Sequence, residues 1–108
     1  MSVLLSLAVA VSGLHGVVIR GPTRPVCQVG VPCSEPAVGA RLSFSRAGIF
    51  VAAVHAGAQG RYAIRLQPGL YTVRVSPATR IGGVKPQQVL VRRGVDARID
   101  FAIDTGIR

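Results

Sequence analysis

Short runs in which apolar and polar residues alternate, separated by breaks rich in glycine and proline, cover most of the chain. Such breaks divide the chain into seven segments, at about 14–20, 38–45, 49–55, 60–67, 70–76, 87–92 and 95–104. None of them has the 3.6-residue period of an amphipathic helix, and their regular spacing is typical of strands in a sandwich or barrel. The pattern therefore predicts an all-β fold, a seven-stranded β-sandwich with Greek-key connections.

The stretch 60–76 has the clearest alternation. Six apolar residues alternate here with polar or small ones: Tyr62, Ile64, Leu66, Tyr71, Val73 and Val75. Between the two halves lies Gln67-Pro68-Gly69, with proline and glycine in the order that a type II turn requires. The pattern predicts a hairpin in which Leu66 pairs with Tyr71 and all six apolar side chains face the core.

Two further hairpins are expected on the same reasoning. Around the turn at 46–48, the alternation pairs Phe44 with Phe50. Near the end of the chain, a three-residue loop at 92–94 pairs Val91 with Val95, and Gly94 takes the left-handed conformation. The residues expected to face the core in this last hairpin are Val89, Val91, Val95, Ala97, Ile99, Phe101 and Ile103. Those expected to face water are Asp96, Arg98 and Asp100.

The segment 49–54 (IFVAAV) departs from this alternation because it is apolar on both faces. One interpretation is a strand that loops or a tail shelter on both sides. The other is an exposed apolar stripe for a partner or for self-association, with Ile49 and Val51 as contact residues. The pattern alone does not choose between them.

The N-terminal residues suggest export. An apolar run of about ten residues at 3–12 is too short to span a bilayer and fits the core of a signal peptide. The small residues Ala8, Ala10 and Ser12 have the spacing that is typical of a signal-peptide cleavage site, although no basic residue precedes the apolar run. A first β-strand is the rival interpretation. We therefore expect a signal peptide at 1–12, one domain at 13–108, no transmembrane segment, and a secreted or extracytoplasmic location.

Export is consistent with the two cysteines, Cys27 and Cys33, which lie in one loop. In an oxidising compartment they are expected to form a disulfide, and closing so short a loop stabilises the fold by about 2 kcal/mol on the chain-entropy model. The two histidines, His15 and His55, are far from these cysteines in sequence. No metal site and no cofactor are therefore expected.

The charge is strongly basic, with 13 lysines and arginines against 4 acidic residues and a formal net charge of +9. This excess indicates an anionic partner such as a polysaccharide, or it reflects a GC-rich genome that uses arginine wherever a solvated polar residue is needed. Specific nucleic-acid binding is not expected, because no exposed aromatic run is present to stack on bases. On the predicted hairpin, Arg61, Arg65 and Arg74 share the outer face and are the candidate contacts for an anion.

The segment from Gly60 to Val73, with Tyr62, Leu66, Pro68, Gly69 and Tyr71 at fixed spacing, resembles the G-x-[FY]-x-[IV]-x-L-x-P-G-x-Y-x-[VL] signature of carboxypeptidase regulatory-like domains. The resemblance runs from about Gly13 to Arg108, and the ending is similar to a small exported bacterial subset that ends in D-x-G-I-R. It implies an immunoglobulin-like or prealbumin-like sandwich, close to starch-binding-like and collagen-adhesin repeat domains. It also implies an accessory module for binding, folding or spacing that is not catalytic.

An enzyme is not expected. The chain has no G-x-S-x-G nucleophile motif, and its acidic residues do not form a predicted carboxylate pair. It also lacks the histidine motif and the Y-R-G-S ending of the transthyretin-like hydrolases. Two functions stay open: a module that binds carbohydrate or a polyanion of the cell envelope, and a structural or protein-interaction domain without a small-molecule ligand.

Overall fold

A computed structural model describes residues 12–76 and 83–105. Ten strands in these residues form two sheets that pack face to face, which confirms the predicted all-β sandwich. The strands are β1 (Gly13–Gly21), β2 (Glu35–Pro36), β3 (Arg41–Arg46), β4 (Ile49–His55), β5 (Arg61–Arg65), β6 (Gly69–Ser76), β7 (Val84–Lys85), β8 (Gln88–Val91), β9 (Asp96–Arg98) and β10 (Phe101–Asp104). The predicted signal peptide lies almost entirely outside the described residues.

The six-stranded sheet is built around β1, which has two successive sets of neighbours. Residues 13–17 of β1 lie between antiparallel β5 and parallel β9. Residues 18–21 pair with antiparallel β2 and parallel β10, and β7 pairs with β10. The last predicted strand, 95–104, is therefore two strands, separated by Ile99 and Asp100.

The four-stranded sheet has the order β4-β3-β6-β8, and every neighbouring pair in it is antiparallel. Its two edge strands are β4 and β8. The core between the sheets is aliphatic with a cluster of three aromatic rings: the ring of Phe101 lies 5.5 Å from that of Tyr62 and 6.3 Å from that of Phe44. Because Phe44 belongs to the four-stranded sheet and the other two to the six-stranded sheet, this cluster joins the two layers.

The prediction for 60–76 is wrong about which strands pair and right about which side chains face the core. The strand β5 pairs with β1, whereas β6 pairs with β3 and β8, so the chain crosses from one sheet to the other between them. Tyr62, Leu66, Tyr71 and Val73 are nevertheless buried, as the alternation predicts. Gly69 has a φ of 156° rather than the roughly +80° of a type II turn. Alternation identifies the face that is buried, and it does not identify the neighbouring strand.

A tyrosine corner marks this crossing. The hydroxyl of Tyr71, at the start of β6, donates a 2.6 Å hydrogen bond to the backbone carbonyl of Gln67, four residues earlier. The same motif occurs where chains pass between the sheets of Greek-key sandwiches. The bond therefore holds the arch in the shape that sends β6 into the second sheet.

The last predicted hairpin also crosses between the sheets. Gly94 has the expected positive φ of 73°, and Val95 donates to the carbonyl of Arg92 across the turn. However, β8 pairs with β6 and β9 pairs with β1, so Val91 does not pair with Val95. Val95 is 42% exposed rather than buried, because it lies in the connection outside both sheets.

The hairpin of β3 and β4 forms as predicted, with a different register. Ala47 and Gly48, both with positive φ, make a two-residue turn, and a bulge follows beside Ser45. Phe44 consequently pairs with Ala52 rather than with Phe50. Phe50 lies opposite Ser45 and is 55% exposed, so the predicted pairing of Phe44 with Phe50 is wrong.

The long connection between β1 and β3 contains the predicted disulfide. Cys27 and Cys33 are bonded, with their Cα atoms 5.6 Å apart. The loop that they close is exposed, and Val29 in it makes no apolar contact that buries it. The disulfide therefore ties a surface loop rather than the core.

Candidate functional site

The three arginines proposed as anion contacts lie on two different sheets. Arg61 and Arg65 are exposed on β5, on the outer face of the six-stranded sheet. Arg74 is exposed on β6, in the four-stranded sheet. Since the outer faces of a sandwich point in opposite directions, the structure brings Arg61 and Arg65 together and separates both from Arg74. The single basic face expected from the hairpin is therefore wrong.

All four acidic residues of the chain belong to the six-stranded sheet: Glu35 on β2, Asp96 on β9, Asp104 on β10, and Asp100 between the last two. Two of them form ion pairs with arginines of the same sheet, and a third, Asp96, contacts a histidine. Arg20 contacts Glu35 at 2.7 Å, Arg98 contacts Asp100 at 3.3 Å, and the imidazole Nδ1 of His15 lies 3.1 Å from Asp96. Much of the positive charge on this sheet is therefore balanced.

Asp100 also has a structural role that the sequence analysis missed. Its Oδ1 accepts a 2.9 Å hydrogen bond from the backbone N–H of Val17, at the point where β1 passes from β9 to β10. That hydrogen bond, followed by the one from Arg98, lowers the pKa of the Asp100 carboxyl. Alternation along 95–104 placed this side chain on the water-facing side, which is correct, and it could not reveal the break in the strand.

Tyr62 contacts the same break between β9 and β10 from the core side. Its hydroxyl donates a 2.6 Å hydrogen bond to the carbonyl of Ile99. Burial, and then the negative charge of Asp100, raise the pKa of this phenol far above its ordinary value. A phenol held neutral in this way acts here as a hydrogen-bond donor in the fold rather than as an acid or base.

The outer face of the four-stranded sheet has the opposite character, because no acidic residue belongs to its four strands. Its outward side chains alternate with the buried ones and include Arg41, Ser43, Ser45, Phe50, Leu70, Thr72, Arg74, Gln88 and Leu90. We call these nine residues the basic face. The register places Phe50, Ser45, Thr72 and Gln88 in one row across all four strands.

Arg41 and Arg74 supply the positive charge of the basic face. Arg74 lies opposite Ser43, and Arg41 is two residues from Ser43 along β3. The guanidinium carbon of Arg41 lies 5.6 Å from the centroid of the exposed Phe50 ring, a cation–π contact. Neither arginine forms an ion pair within the described residues. Both cations are therefore available to an external anion.

The apolar stripe on β4 is exposed at its first three residues. Ile49, Phe50 and Val51 are 70%, 55% and 43% exposed, whereas Ala52 and Val54 pack against the core. Of the two interpretations left open by the sequence, exposure therefore holds for residues 49–51, and partial shelter holds for the rest of β4. Both predicted contact residues, Ile49 and Val51, are accessible.

A shallow groove of about 470 Å³ lies beside the disulfide loop, over the outer face of β1, β7 and β10. Its walls are largely apolar, with Ile19, Pro22 and Ala102 among them, and Lys85 lies at the side. Small-molecule sites normally combine such apolar walls with several convergent polar groups. Ser34, Lys85 and Asp104 also line this groove, so it combines apolar walls with a hydroxyl group and two charged groups.

In residues 12–76 and 83–105, no three histidine, cysteine, aspartate or glutamate side chains lie close enough together to hold a metal ion. The same residues contain no helix that is both long and apolar enough to cross a membrane.

Comparison with known proteins adds no relative. No family model, no curated protein and no solved structure matches the chain. The resemblance to carboxypeptidase regulatory-like domains therefore stays a prediction from the sequence. Two surfaces with functional potential are the basic face and the exposed edge of β4.

Proposed function

We propose that the domain is a non-catalytic, extracytoplasmic binding module, and that the basic face of its four-stranded sheet binds an anionic polysaccharide of the cell envelope. One observation carries the proposal: every acidic residue belongs to one sheet, and the arginines Arg41 and Arg74 of the other sheet have no ionic partner there. The resemblance to carboxypeptidase regulatory-like domains, which are accessory modules, points in the same direction.

The spatial separation of charge favours a polyanion. At physiological ionic strength charges more than about 8 Å apart are largely screened, so a local excess of cations matters more than the net charge of the whole chain. The carboxylates on the far sheet lie across the core, and they do little to weaken an anion held by Arg41 or Arg74. A surface of this kind attracts repeated negative charges.

The remaining side chains of the basic face suit a sugar chain better than a nucleic acid. Ser45, Thr72 and Gln88 present hydroxyl and amide groups in one row, beside the single exposed ring of Phe50. Sugar hydroxyl groups can pair with such donors and acceptors. Single-stranded nucleic acids need several aromatic platforms for stacking, and the basic face has one.

Two double variants with the same change in net charge test the proposal. Arg41→Ser with Arg74→Ser removes the cations of the basic face, whereas Arg61→Ser with Arg65→Ser removes two cations from the opposite sheet. On a column of immobilised sulfated or uronic-acid polysaccharide, we expect the first variant to elute at a clearly lower salt concentration than the parent. The second should elute close to the parent.

The opposite order of elution would place the site on β5, at two of the three arginines predicted from the sequence, and the proposed site on the basic face would be wrong. Equal losses in the two variants would mean that only net charge matters, and the proposed site would be wrong. No retention of the parent at low salt, together with no signal on a glycan array, would overturn the binding function itself.

A second function, as a protein-interaction domain, is supported by the exposure of Ile49 and Val51 at the edge of a sheet. Association through these residues should resist moderate salt, because it is apolar, whereas polysaccharide binding should weaken. Size-exclusion chromatography at low and high salt separates the two behaviours.

A further inference from the structure

Two arches of the chain lie side by side at one end of the sandwich. The first arch, residues 66–68, leads from β5 to β6, and the second, residues 92–95, leads from β8 to β9. They are neighbours at the four-stranded sheet, because Gly69 at the start of β6 pairs with Val91 at the end of β8. The two arches therefore form one end surface of the domain.

The arches also have fixed positions at the six-stranded sheet. Arg65, the last residue of β5, and Asp96, the first residue of β9, both pair with Gly13 of β1. The N–H of Gly13 donates a further 3.1 Å hydrogen bond to the carbonyl of Val95, in the second arch. Both ends of each arch are therefore held by strands that are paired in a sheet.

Arg46 reaches this end surface from β3. Leu42 and Phe44 of the same strand are buried, so alternation places Arg46 on their side, just beyond the end of the core. Its guanidinium carbon lies 5.6 Å from the centroid of the buried Tyr71 ring, a cation–π contact. The guanidinium also lies against Gly69, where an added Cβ would come within 2.9 Å of its Nε and Cζ atoms. The lack of a side chain at Gly69 therefore leaves the room that Arg46 occupies.

Arg92 and Arg93 approach Gly69 from the opposite side. They directly follow Val91, which is the residue that pairs with Gly69. Neighbouring strands lie about 4.8 Å apart, so the second arch begins one strand away from the guanidinium of Arg46. The side chains of Arg92 and Arg93 are exposed. Three arginines therefore flank the start of β6, and we call Arg46, Arg92 and Arg93 the arch cluster.

The arch cluster has no carboxylate to balance its charge. Within residues 12–76 and 83–105, none of its three arginines forms an ion pair. The acidic residue nearest to Arg93 along the chain is Asp96, which contacts His15 at 3.1 Å on the six-stranded sheet. Like charges that lie close together repel each other, and an anion bound among them removes the repulsion. The cluster is therefore a local excess of positive charge that an external anion would neutralise.

We propose that the arch cluster binds a terminal phosphate group, either the free inorganic ion or a phosphate attached to its carrier through a single oxygen. Arginine presents a planar fork of N–H donors that matches the oxygen atoms of a phosphate. A terminal phosphate carries about 1.5 to 2 negative charges at neutral pH. It therefore matches three cations better than a carboxylate with one charge.

The site is partly ordered before any anion arrives. The side chain of Arg46 is already held against the Tyr71 ring and Gly69. The second arch is closed by a 3.2 Å hydrogen bond from the N–H of Val95 to the carbonyl of Arg92. Ordering of side chains and loops on binding costs free energy, so a site that is ordered in advance binds more tightly.

The arch cluster is separate from the basic face. Arg41 and Arg46 are five residues apart on β3, and Arg74 and Gly69 are five residues apart on β6. At about 3.3 Å per residue both separations are on the order of 16 Å, which exceeds the Debye length of about 8 Å at physiological ionic strength. Binding at one site should therefore leave the other unchanged. The inference does not rest on the proposed function, and its test is performed without polysaccharide.

Titration of isotope-labelled protein with inorganic phosphate, followed by NMR, tests the proposal. Sodium chloride and sodium acetate at the same ionic strength and pH are the comparisons. Phosphate should shift the backbone amides of Gln67, Gly69 and residues 92–94 in a saturable way, whereas chloride and acetate should not saturate. A phosphate titration that matches either comparison would mean that the ions only screen the surface, and it would overturn the proposal.

Two esters distinguish the kinds of phosphate. Glycerol phosphate has a terminal phosphate, whereas dimethyl phosphate is a diester with a single charge and fewer free oxygen atoms. We expect glycerol phosphate to bind and dimethyl phosphate to bind about tenfold more weakly. Tighter binding of glycerol phosphate than of inorganic phosphate would assign the site to a carrier-borne group, and the reverse order would assign it to the free ion. Equal binding of the diester would contradict the preference for a terminal phosphate.

Two double variants with the same change in net charge locate the site. Arg92→Gln with Arg93→Gln removes two cations of the arch cluster, whereas Arg24→Gln with Arg61→Gln removes two exposed arginines outside it. All four side chains are exposed, so both variants should fold, which circular dichroism verifies. We expect the dissociation constant for phosphate to rise about tenfold in the first variant, because hydrogen bonds to a charged group are lost, and to change less than about twofold in the second. Equal weakening in both would show that net charge alone attracts phosphate, and the site would be wrong.

Arg46→Gln tests the third cation separately. It removes the charge while a side chain of similar shape remains over Tyr71. The dissociation constant for phosphate should again rise about tenfold. An unchanged affinity, in a variant with the circular dichroism spectrum of the parent, would exclude Arg46 and overturn the site of three arginines. If this variant does not fold, the double variant of Arg92 and Arg93 still decides the proposal.

Thermal unfolding gives a second measurement of the same site. An anion that binds only the folded chain raises its melting temperature. Phosphate should therefore raise the melting temperature of the parent more than chloride does at equal ionic strength. This additional increase should disappear when Arg92 and Arg93 are replaced by glutamine. An increase that persists in that variant would place the bound phosphate elsewhere on the domain and overturn the proposal.

Discussion

Replacing Tyr71 with phenylalanine tests whether the tyrosine corner stabilises the crossing between the sheets. The substitution keeps the ring, which is fully buried, and removes only the hydroxyl group that donates to the carbonyl of Gln67 at 2.6 Å. Because only one oxygen atom is removed, the substitution leaves no large cavity, and the change isolates one hydrogen bond. The parent and the variant therefore differ in a single defined contact.

The size of the effect follows from the surroundings of the two partners. A typical intramolecular hydrogen bond contributes about 0.5–1.5 kcal/mol, and leaving a buried partner unsatisfied costs about 1–3 kcal/mol. Gln67 is exposed, so water can reach its carbonyl in the variant. We therefore expect Tyr71→Phe to lower the free energy of unfolding by about 1 kcal/mol, or the melting temperature by about 4–8 °C for a domain of this size.

Urea unfolding followed by circular dichroism measures this difference. The dependence of the free energy on urea should be unchanged, because the same surface is exposed on unfolding. Tyr62→Phe is a useful comparison, since it removes a hydroxyl with an equally short bond to the carbonyl of Ile99. A Tyr71→Phe variant as stable as the parent would refute the view that this bond holds the arch.

Two further predictions concern the charge and the covalent link of the fold. Asp100→Asn should lower the stability of the fold at neutral pH. Folding depresses the pKa of Asp100, so the stability that its carboxylate contributes is present above the unfolded pKa of about 3.8 and is lost as the pH falls below it. The melting temperatures of parent and variant should therefore converge in acid. A difference that is independent of pH would contradict this. Cys27→Ser with Cys33→Ser should cost about 2 kcal/mol in urea unfolding and leave the core intact, whereas global unfolding would show that the loop supports the core.

The facing of the strands could be predicted from the sequence, and the partners of several strands could not. Burial of one face imposes alternation, so Tyr62, Leu66, Tyr71 and Val73 were placed correctly. Whether β5 pairs with β6 depends on the path of the chain between them, which alternation does not encode. The spacing of Gln67 and Tyr71 was the available signal, because a tyrosine just after a Pro-Gly arch is typical of a crossing between sheets.

The basic face could be anticipated only in part. Composition revealed the excess of arginine, and the predicted hairpin then grouped Arg74 with Arg61 and Arg65. Their separation follows from the crossing, and so does the pairing of Arg74 with the strand that carries Arg41. By contrast, the exposure of Ile49 and Val51 was one of two interpretations, because a strand that is apolar on both faces lacks the expected polar side.

The position of β1 has a consequence for the order in which the domain folds. Gly13 pairs with Asp96 and Val18 with Phe101, each 83 residues further along the chain. A nascent chain that still lacks β9 and β10 leaves one side of β1 without a partner along its whole length. Contacts so distant in sequence slow folding. Whether the chain emerges from a ribosome or from a translocation channel, its larger sheet cannot be completed before β10 has emerged.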